Sequence, residues 1–229
     1  MEKEIKQLFR NELAKNSSLV ADLISNNNLL QKVAEKIFFD GHIEITSSGK
    51  IKKVYVFDVE FYCNQDGKFL DPVMYHTNDK ISQKEKGRFI FENSESGAPL
   101  IHPSGMDIIL YEENGVRITM LIRGIIILED GDMNVEKVTL NRNDRYHEIE
   151  NNRYRIETRP TYIIGQILCG SIFNGGILIK WVDDKIPKWI KDKSCSPLII
   201  EQRKNIKEDN QNDKLWRFRY FDYKNNQLC

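Results

Sequence analysis

Two carboxylates and a phenol close the stretch KKVYVFDVEFY: Asp58, Glu60 and Tyr62 stand two residues apart. Strand side chains alternate between faces, so these three share one side with Val54 and Val56. Tyr55, Phe57, Val59 and Phe61 share the other, the natural core side. A face that begins apolar and turns acidic suits a strand running from a core into a cleft. The same alternation also suits a solvated sheet face.

A second run bears on that choice. ITMLIRGIIIL is apolar on both faces, which predicts a central strand covered on both sides, with Arg123 in its middle. A guanidinium stays charged at ordinary pH, and burying it unpaired is costly. It needs a carboxylate or an anionic ligand, and Glu60 and Asp58 are the candidates. A purely structural ion pair would satisfy it too.

Other chemistries find little support. His76 lies in the polar stretch DPVMYHTND shortly after FDVEFY; a lone loop histidine is ordinarily just exposed, and this one gains interest from Glu60 and Arg123. His42, His76, His102 and His147 show no metal-ligand spacing, and Cys63, Cys169, Cys195 and Cys229 lie far apart with no CxxC pair. No Gly-rich phosphate loop, GxSxG or Cys/His nucleophile pattern is present. The expectation is no metal, no cofactor and free thiols.

Several elements must position these residues. Residues 2–38 show helical spacing in LFRNELAK, LVADLI and LLQKVAEKIFF, which predicts two or three helices. From Ile43 the period becomes two, and IEITSSGKIKKVYVFDVEFY predicts a hairpin turning at Ser48-Gly49-Lys50. Residues 63–105 are loop-rich, with a short strand expected at Arg88–Glu92. GMDIILYEENGVRITMLIRGIIIL predicts a second hairpin turning at Glu113-Asn114-Gly115. After a charged connection, RPTYIIGQILCGSIF reads as a helix with Pro160 in its first turn, and ILIKWV, SPLIIEQ and KLWRFRYFDY read as strands. The fold class is α+β. One domain over 1–229 is expected, with a helical segment over 1–38 and a core over 39–229 built on a largely antiparallel curved sheet with a flanking helix.

The 229 residues suffice for a substantial core. Lys plus Arg total 34, as do Asp plus Glu, so the net charge is zero, which disfavours a protein that lives by gripping duplex DNA unless a local patch does the work. The N-terminal MEKEIKQLFRNELAK is charged and amphipathic rather than leader-like, and no apolar run reaches the length of a membrane span. A soluble, cytoplasmic protein with no membrane partner is expected.

Taken in order, Glu60-Phe61-Tyr62, then His76 in a polar loop, then Met120-Leu121-Ile122-Arg123-Gly124 resemble the alkyladenine (3-methyladenine) DNA glycosylase family. That family has a Glu-Ala-Tyr strand end, a downstream histidine and a Leu-Leu-Arg-Ala strand near its active centre. LLQKVAEKIF resembles its helix before the first strand. RPTYIIGQIL resembles its Gly-Pro-x-x-Leu helix start, with Arg159 in place of glycine. SPLIIEQRKNI followed by KLWRFRYF is similar to its closing Ser-Pro-Arg segment and Arg-Phe-Tyr strand. The likeness runs from Leu30 to Tyr223 and rests on the order of short motifs.

The resemblance implies a divergent member: a monofunctional N-glycosylase, a hydrolase of base excision repair acting on damaged DNA. Glu60 would activate water as general base, His76 and Arg123 would hold that water and the glutamate, and Tyr62 would stack on the target base. Asp107, on MDIILYEENGV, is a further candidate substrate contact. That stretch is shorter than the family's tyrosine-bearing hairpin and is acidic at Glu112 and Glu113. This argues against ordinary repair of duplex DNA and leaves a single strand, a free nucleoside or nucleotide, or another compound with a glycosidic bond as the substrate. Near the C-terminus Lys188, Lys191, Arg203, Arg217 and Arg219 interleave with Trp189, Trp216 and Phe218, which suits single-stranded nucleic acid. A solvated helix and sheet edge would show the same composition. The alternative reading is a non-catalytic nucleic-acid or nucleotide binding module on the same fold.

Overall fold

The computed structural model describes residues 2–15, 28–47, 50–69, 71, 74, 99–102, 105–129, 146–149, 152–168, 178–187, 198–204 and 215–220. The expected strand at Arg88–Glu92 and the segment 16–27 lie outside them. The fold is α+β: helices pack on a curled sheet whose described pairings are all antiparallel.

Two long strands form its spine. β1 (Gly41–Ser47) and β2 (Lys50–Gln65) make the first hairpin, in register from Ile43↔Val54 to Ser47↔Lys50. β3 (Pro99–His102) borders β4 (Gly105–Glu113), and β4 and β5 (Val116–Glu129) make the second hairpin. At its turn Asn114 and Gly115 have φ of 52° and 73°. A two-residue turn with both φ values positive matches the right-handed strand twist, which is why Asn-Gly marks it.

β2 and β5 pair along almost their whole length, from Lys52↔Glu129 to Gln65↔Val116. Each divides its outer edge between two neighbours. β5 is flanked by β4 along its first half and by β7 (Asn152–Glu157) along its second. β2 is flanked by β1 and then by β10 (Arg217–Arg219). β6 (Tyr146–Ile149) pairs with β7, β8 (Leu178–Asp183) with β1, and β9 (Ile199–Glu201) with β10. The charged connection expected after β5 thus contains a hairpin. Glu148 of β6 and Arg153, Arg155 and Glu157 of β7 stand on these strands, a pattern that composition alone does not distinguish from loop.

The β2–β5 register slips and recovers at one place. Val56 faces Ile125, Asp58 faces Gly124 and Val59 faces Ile122, so Phe57 and Arg123 are each left without a direct partner. Such paired irregularities bend strands and re-aim side chains. Gly124 permits it: a Cβ there would lie 2.6 Å from the Phe57 ring and 2.9 Å from Asp58 Cβ.

The Phe57 face carries the main core. α2 (Asn28–Phe39) buries Leu30, Val33, Ala34, Ile37 and Phe38, the three-and-four spacing of an amphipathic helix. Phe38, Phe39 and Phe57 close on the Tyr220 ring at 5.1, 5.1 and 6.3 Å between centroids. α1 (Glu2–Lys15) adds Ile5 and Phe9, with Phe9 5.7 Å from Tyr111. Each such side chain contributes about 1.5–3 kcal/mol on burial. α3 (Pro160–Leu168), the expected Pro-started helix, packs on β4, β5 and β7. Its first turn lies on the opposite side of the sheet: a Cβ on Gly105 would meet both Leu121 Cδ1 (2.7 Å) and Pro160 Cβ (2.8 Å). Among the described residues no helix is long and apolar enough to cross a membrane.

Candidate active site

Cross-strand partners share a face, so the register alone lays out the polar side. One row runs Asp107, Leu121, Glu60, Arg217, Glu201 across β4, β5, β2, β10 and β9. The row beside it holds Asp58 and Arg219, and Arg123 stands two residues along β5 from Leu121. On the other side of Glu60, Tyr62 faces Thr119. FDVEFY and ITMLIRG therefore bring their polar residues to one patch.

Glu60 is its centre and is fully buried. Oε2 accepts from the Tyr62 hydroxyl at 2.9 Å and from Arg123 Nη1 at 3.1 Å. Oε1 accepts from the Lys204 backbone N–H at 2.7 Å, with Arg217 Nε 3.9 Å away. Burial pushes the Glu60 carboxyl up from its ordinary value, against the opposing pull of Arg123, the Lys204 N–H and Tyr62. Burial and the Glu60 charge together push the Tyr62 phenol well above its ordinary value, so it stays protonated and donates.

Asp58 takes a different partner from the one the strand pattern offered. Arg217 reaches it with Nε, 2.9 Å from Oδ1, and with Nη2 on Oδ2. Arg217 Nη1 also donates to Glu201 Oε2 at 2.7 Å, and Arg219 Nη2 to Glu201 Oε1 at 2.7 Å. Arg203 forks onto Asp71, Nη1 to Oδ2 at 2.6 Å and Nη2 to Oδ1 at 3.3 Å. Of the basic residues expected at a nucleic-acid surface, Arg203, Arg217 and Arg219 are thus buried and spent on carboxylates. The reason is topological: β9 and β10 join the sheet beside β2, which turns their charged face onto Asp58 and Glu60. Lys188, Lys191 and the candidate water-holding His76 lie outside the described residues.

Tyr62, expected as a stacking surface, is 8% exposed. Its ring has the Arg203 guanidinium carbon 4.8 Å from its centroid and clusters with Met74 and Leu121. Asp107 is buried one strand beyond Leu121, with Thr119 Oγ1 3.4 Å from its Oδ2. Glu112 and Glu113, acidic at the hairpin turn, are both paired, with Arg117 and with Arg10 of α1. No cluster among the described residues has the make-up of a metal site.

Sequence reasoning did not single out Asp71, Glu201 or the Lys204 N–H. For Arg217 and Arg219 a signal existed: RFR repeats at period two the spacing of DVE, which it faces. Asp71 and Lys204 carry none, since only the fold brings them to β2.

Chemically, the patch centres on a buried carboxylate, Glu60, whose Oε2 is occupied by two donors. Its Oε1 accepts a single hydrogen bond within the usual distance among the described residues. Compared with protein-family models, curated proteins and solved structures, the chain matches none.

Proposed function

We propose that the chain is a divergent nucleobase glycosylase. It hydrolyses the N-glycosidic bond of a damaged or modified purine in DNA, a related nucleic acid or a nucleoside. The observation that carries this reading is the convergence of Tyr62 and Arg123 on one oxygen of Glu60. Those donors hold Oε2 still, and Oε1, which accepts the Lys204 N–H with one lone pair, uses its other lone pair to accept a proton from water. The hydroxide adds to C1′ as the C1′–N bond breaks, and the bond's electron pair leaves with the base, which gains a proton. Burial raises the basicity of Glu60, bringing a carboxylate closer to the range useful near neutral pH. Its negative charge also favours the positive sugar that develops in the transition state. Tyr62 and Arg123 border the reacting carboxylate, Asp107 on β4 is assigned a substrate contact, and His76 is assigned the water by resemblance. No cofactor enters.

The test is base release from alkylated, deaminated and unmodified oligonucleotides, single- and double-stranded, with free nucleosides included. Release from at least one member, absent in Glu60→Gln, is the expected outcome. Silence across the panel turns the assignment to the second reading, a non-catalytic module that binds a modified base or nucleotide. That reading has its own observation: Glu60 is 0% exposed with donors on both oxygens, the dress of a structural ion pair. Binding of panel members without release is its expected result.

A further inference from the structure

The donor on Glu60 Oε1 comes from a residue 144 positions later in the chain. A backbone N–H has no rotamer of its own; it points where its peptide plane points. The side chain immediately before this peptide is Arg203, and it is anchored three ways. Its guanidinium forks onto Asp71 at 2.6 and 3.3 Å, with both side chains at most 1% exposed. Nη1 also lies 3.4 Å from the Phe61 carbonyl, the residue after Glu60. Its central carbon sits 4.8 Å from the Tyr62 ring and 5.3 Å from the Trp216 ring. The Trp216 backbone carbonyl in turn accepts the Phe61 N–H at 2.9 Å, so the residue carrying the second ring is tied to the same residue of β2.

We propose that Arg203 is a positioning residue for Glu60: its forked hold on Asp71 seats the segment 202–204 so that the Lys204 N–H fixes Glu60 Oε1. The role needs a planar fork that can meet a carboxylate at two points and lie between two rings, which a lysine ammonium cannot do. It also accounts for a buried arginine that makes no hydrogen bond to Glu60 itself. The inference stands on this geometry. Only its kinetic arm rests on Glu60 being the base.

The experiment uses the full chain with Arg203→Lys and the milder Asp71→Asn, and with Glu60→Gln as reference. Amide exchange and the amide proton shift of Lys204 are followed by NMR. In both variants Lys204 exchange accelerates at least about tenfold relative to the central-strand amides of Val59 and Ile122. Its proton shift moves in the direction that Glu60→Gln moves it. On any substrate the parent cleaves, kcat falls while KM changes little. Parent-like protection of Lys204 in both variants overturns the proposal. So does an acceleration that Val59 and Ile122 share equally, because that is general loosening. If the parent cleaves nothing, the glycosylase reading fails while the amide measurement still decides the positioning role.

Discussion

At the scale of single residues, Glu60 makes the sharpest prediction. Glu60→Gln keeps shape and acceptor but cannot take a proton from water at neutral pH, so base release is abolished. Affinity for an anionic substrate is retained or modestly tightened, since a nearby negative charge is gone. Single-turnover cleavage and equilibrium binding check both halves, and parent-like cleavage sinks the assignment. A stability effect accompanies it. The folded state raises the Glu60 pKa above 4.5, so it binds a proton more readily than the unfolded chain does. Stability from this group is present below 4.5 and is lost as pH rises through the folded value. Glutamine does not titrate. The thermal midpoint of Glu60→Gln relative to the parent is therefore higher at about pH 7 than at about pH 4. His42 carries the opposite sign. It is 1% exposed, its ring nitrogens have no hydrogen-bond partner among the described residues, and it lies 5.2 Å from the Tyr55 ring. Burial, with Lys53 nearby, lowers its pKa below 6.5, against the weaker pull of Asp184 and Glu44. Stability from neutral His42 is present above 6.5 and is lost as pH falls through the folded value. His42→Phe keeps a ring, removes two unpaired polar atoms and flattens that loss. A pH series of urea unfolding gives a gain of roughly 1 kcal/mol at neutrality that grows on acidification.

At the scale of elements, the pairing of β5 with its neighbours depends on two glycines for different reasons. Gly115 has φ of 73°, and a Cβ there would stand 3.1 Å from the Asp66 carboxylate. Gly115→Ala costs roughly 1 kcal/mol through the left-handed backbone. Gly124 needs no special dihedral but has no room: a Cβ meets the Phe57 ring and Asp58 Cβ at under 3 Å. Gly124→Ala costs roughly 1–3 kcal/mol by overpacking. It also disturbs the irregularity beside Arg123, so it reduces turnover where Gly115→Ala, at the far turn, does not. Chemical denaturation ranks the two, and equal turnover in both would disconnect the bend from the site.

At the scale of the molecule, the paired charges lock the late strands onto the early ones. Arg217 of β10 holds Asp58 of β2 and Glu201 of β9 at once. Burial pulls its pKa down, but Asp58, Glu201 and Glu60 outweigh that and hold it above its ordinary value. Arg217→Met strands a carboxylate that is 1% exposed, at a cost of roughly 3–5 kcal/mol. Arg123→Ala strands Glu60 more gently, because Tyr62 and the Lys204 N–H remain, and costs roughly 3 kcal/mol. Thermal unfolding separates them: the Arg217 variant melts lower. If it melts at or above the parent, the ion pairs are not what joins β9 and β10 to the sheet.

What the sequence determined by itself was local and periodic. The period-two runs, the Asn-Gly turn and the Pro-started helix each follow from backbone sterics within a few residues, so both hairpins and α3 could be read directly. The same periodicity put Asp58, Glu60 and Tyr62 on one face, and the apolar surroundings of Arg123 demanded an anion near it. Which anion was a tertiary decision. Asp58 and Glu60 are equivalent by spacing, and only the register and the slip at Gly124 give Glu60 to Arg123 and Asp58 to Arg217. The basic residues near the C-terminus were equally ambiguous, because an arginine on a short strand reads the same facing solvent or a neighbour's carboxylate. Their burial followed from β10 pairing with β2, a contact between residues some 159 positions apart that no local rule reaches. Asp71 and the Lys204 N–H came from the same cause: a lone aspartate and a backbone amide have no pattern until the chain closes around them.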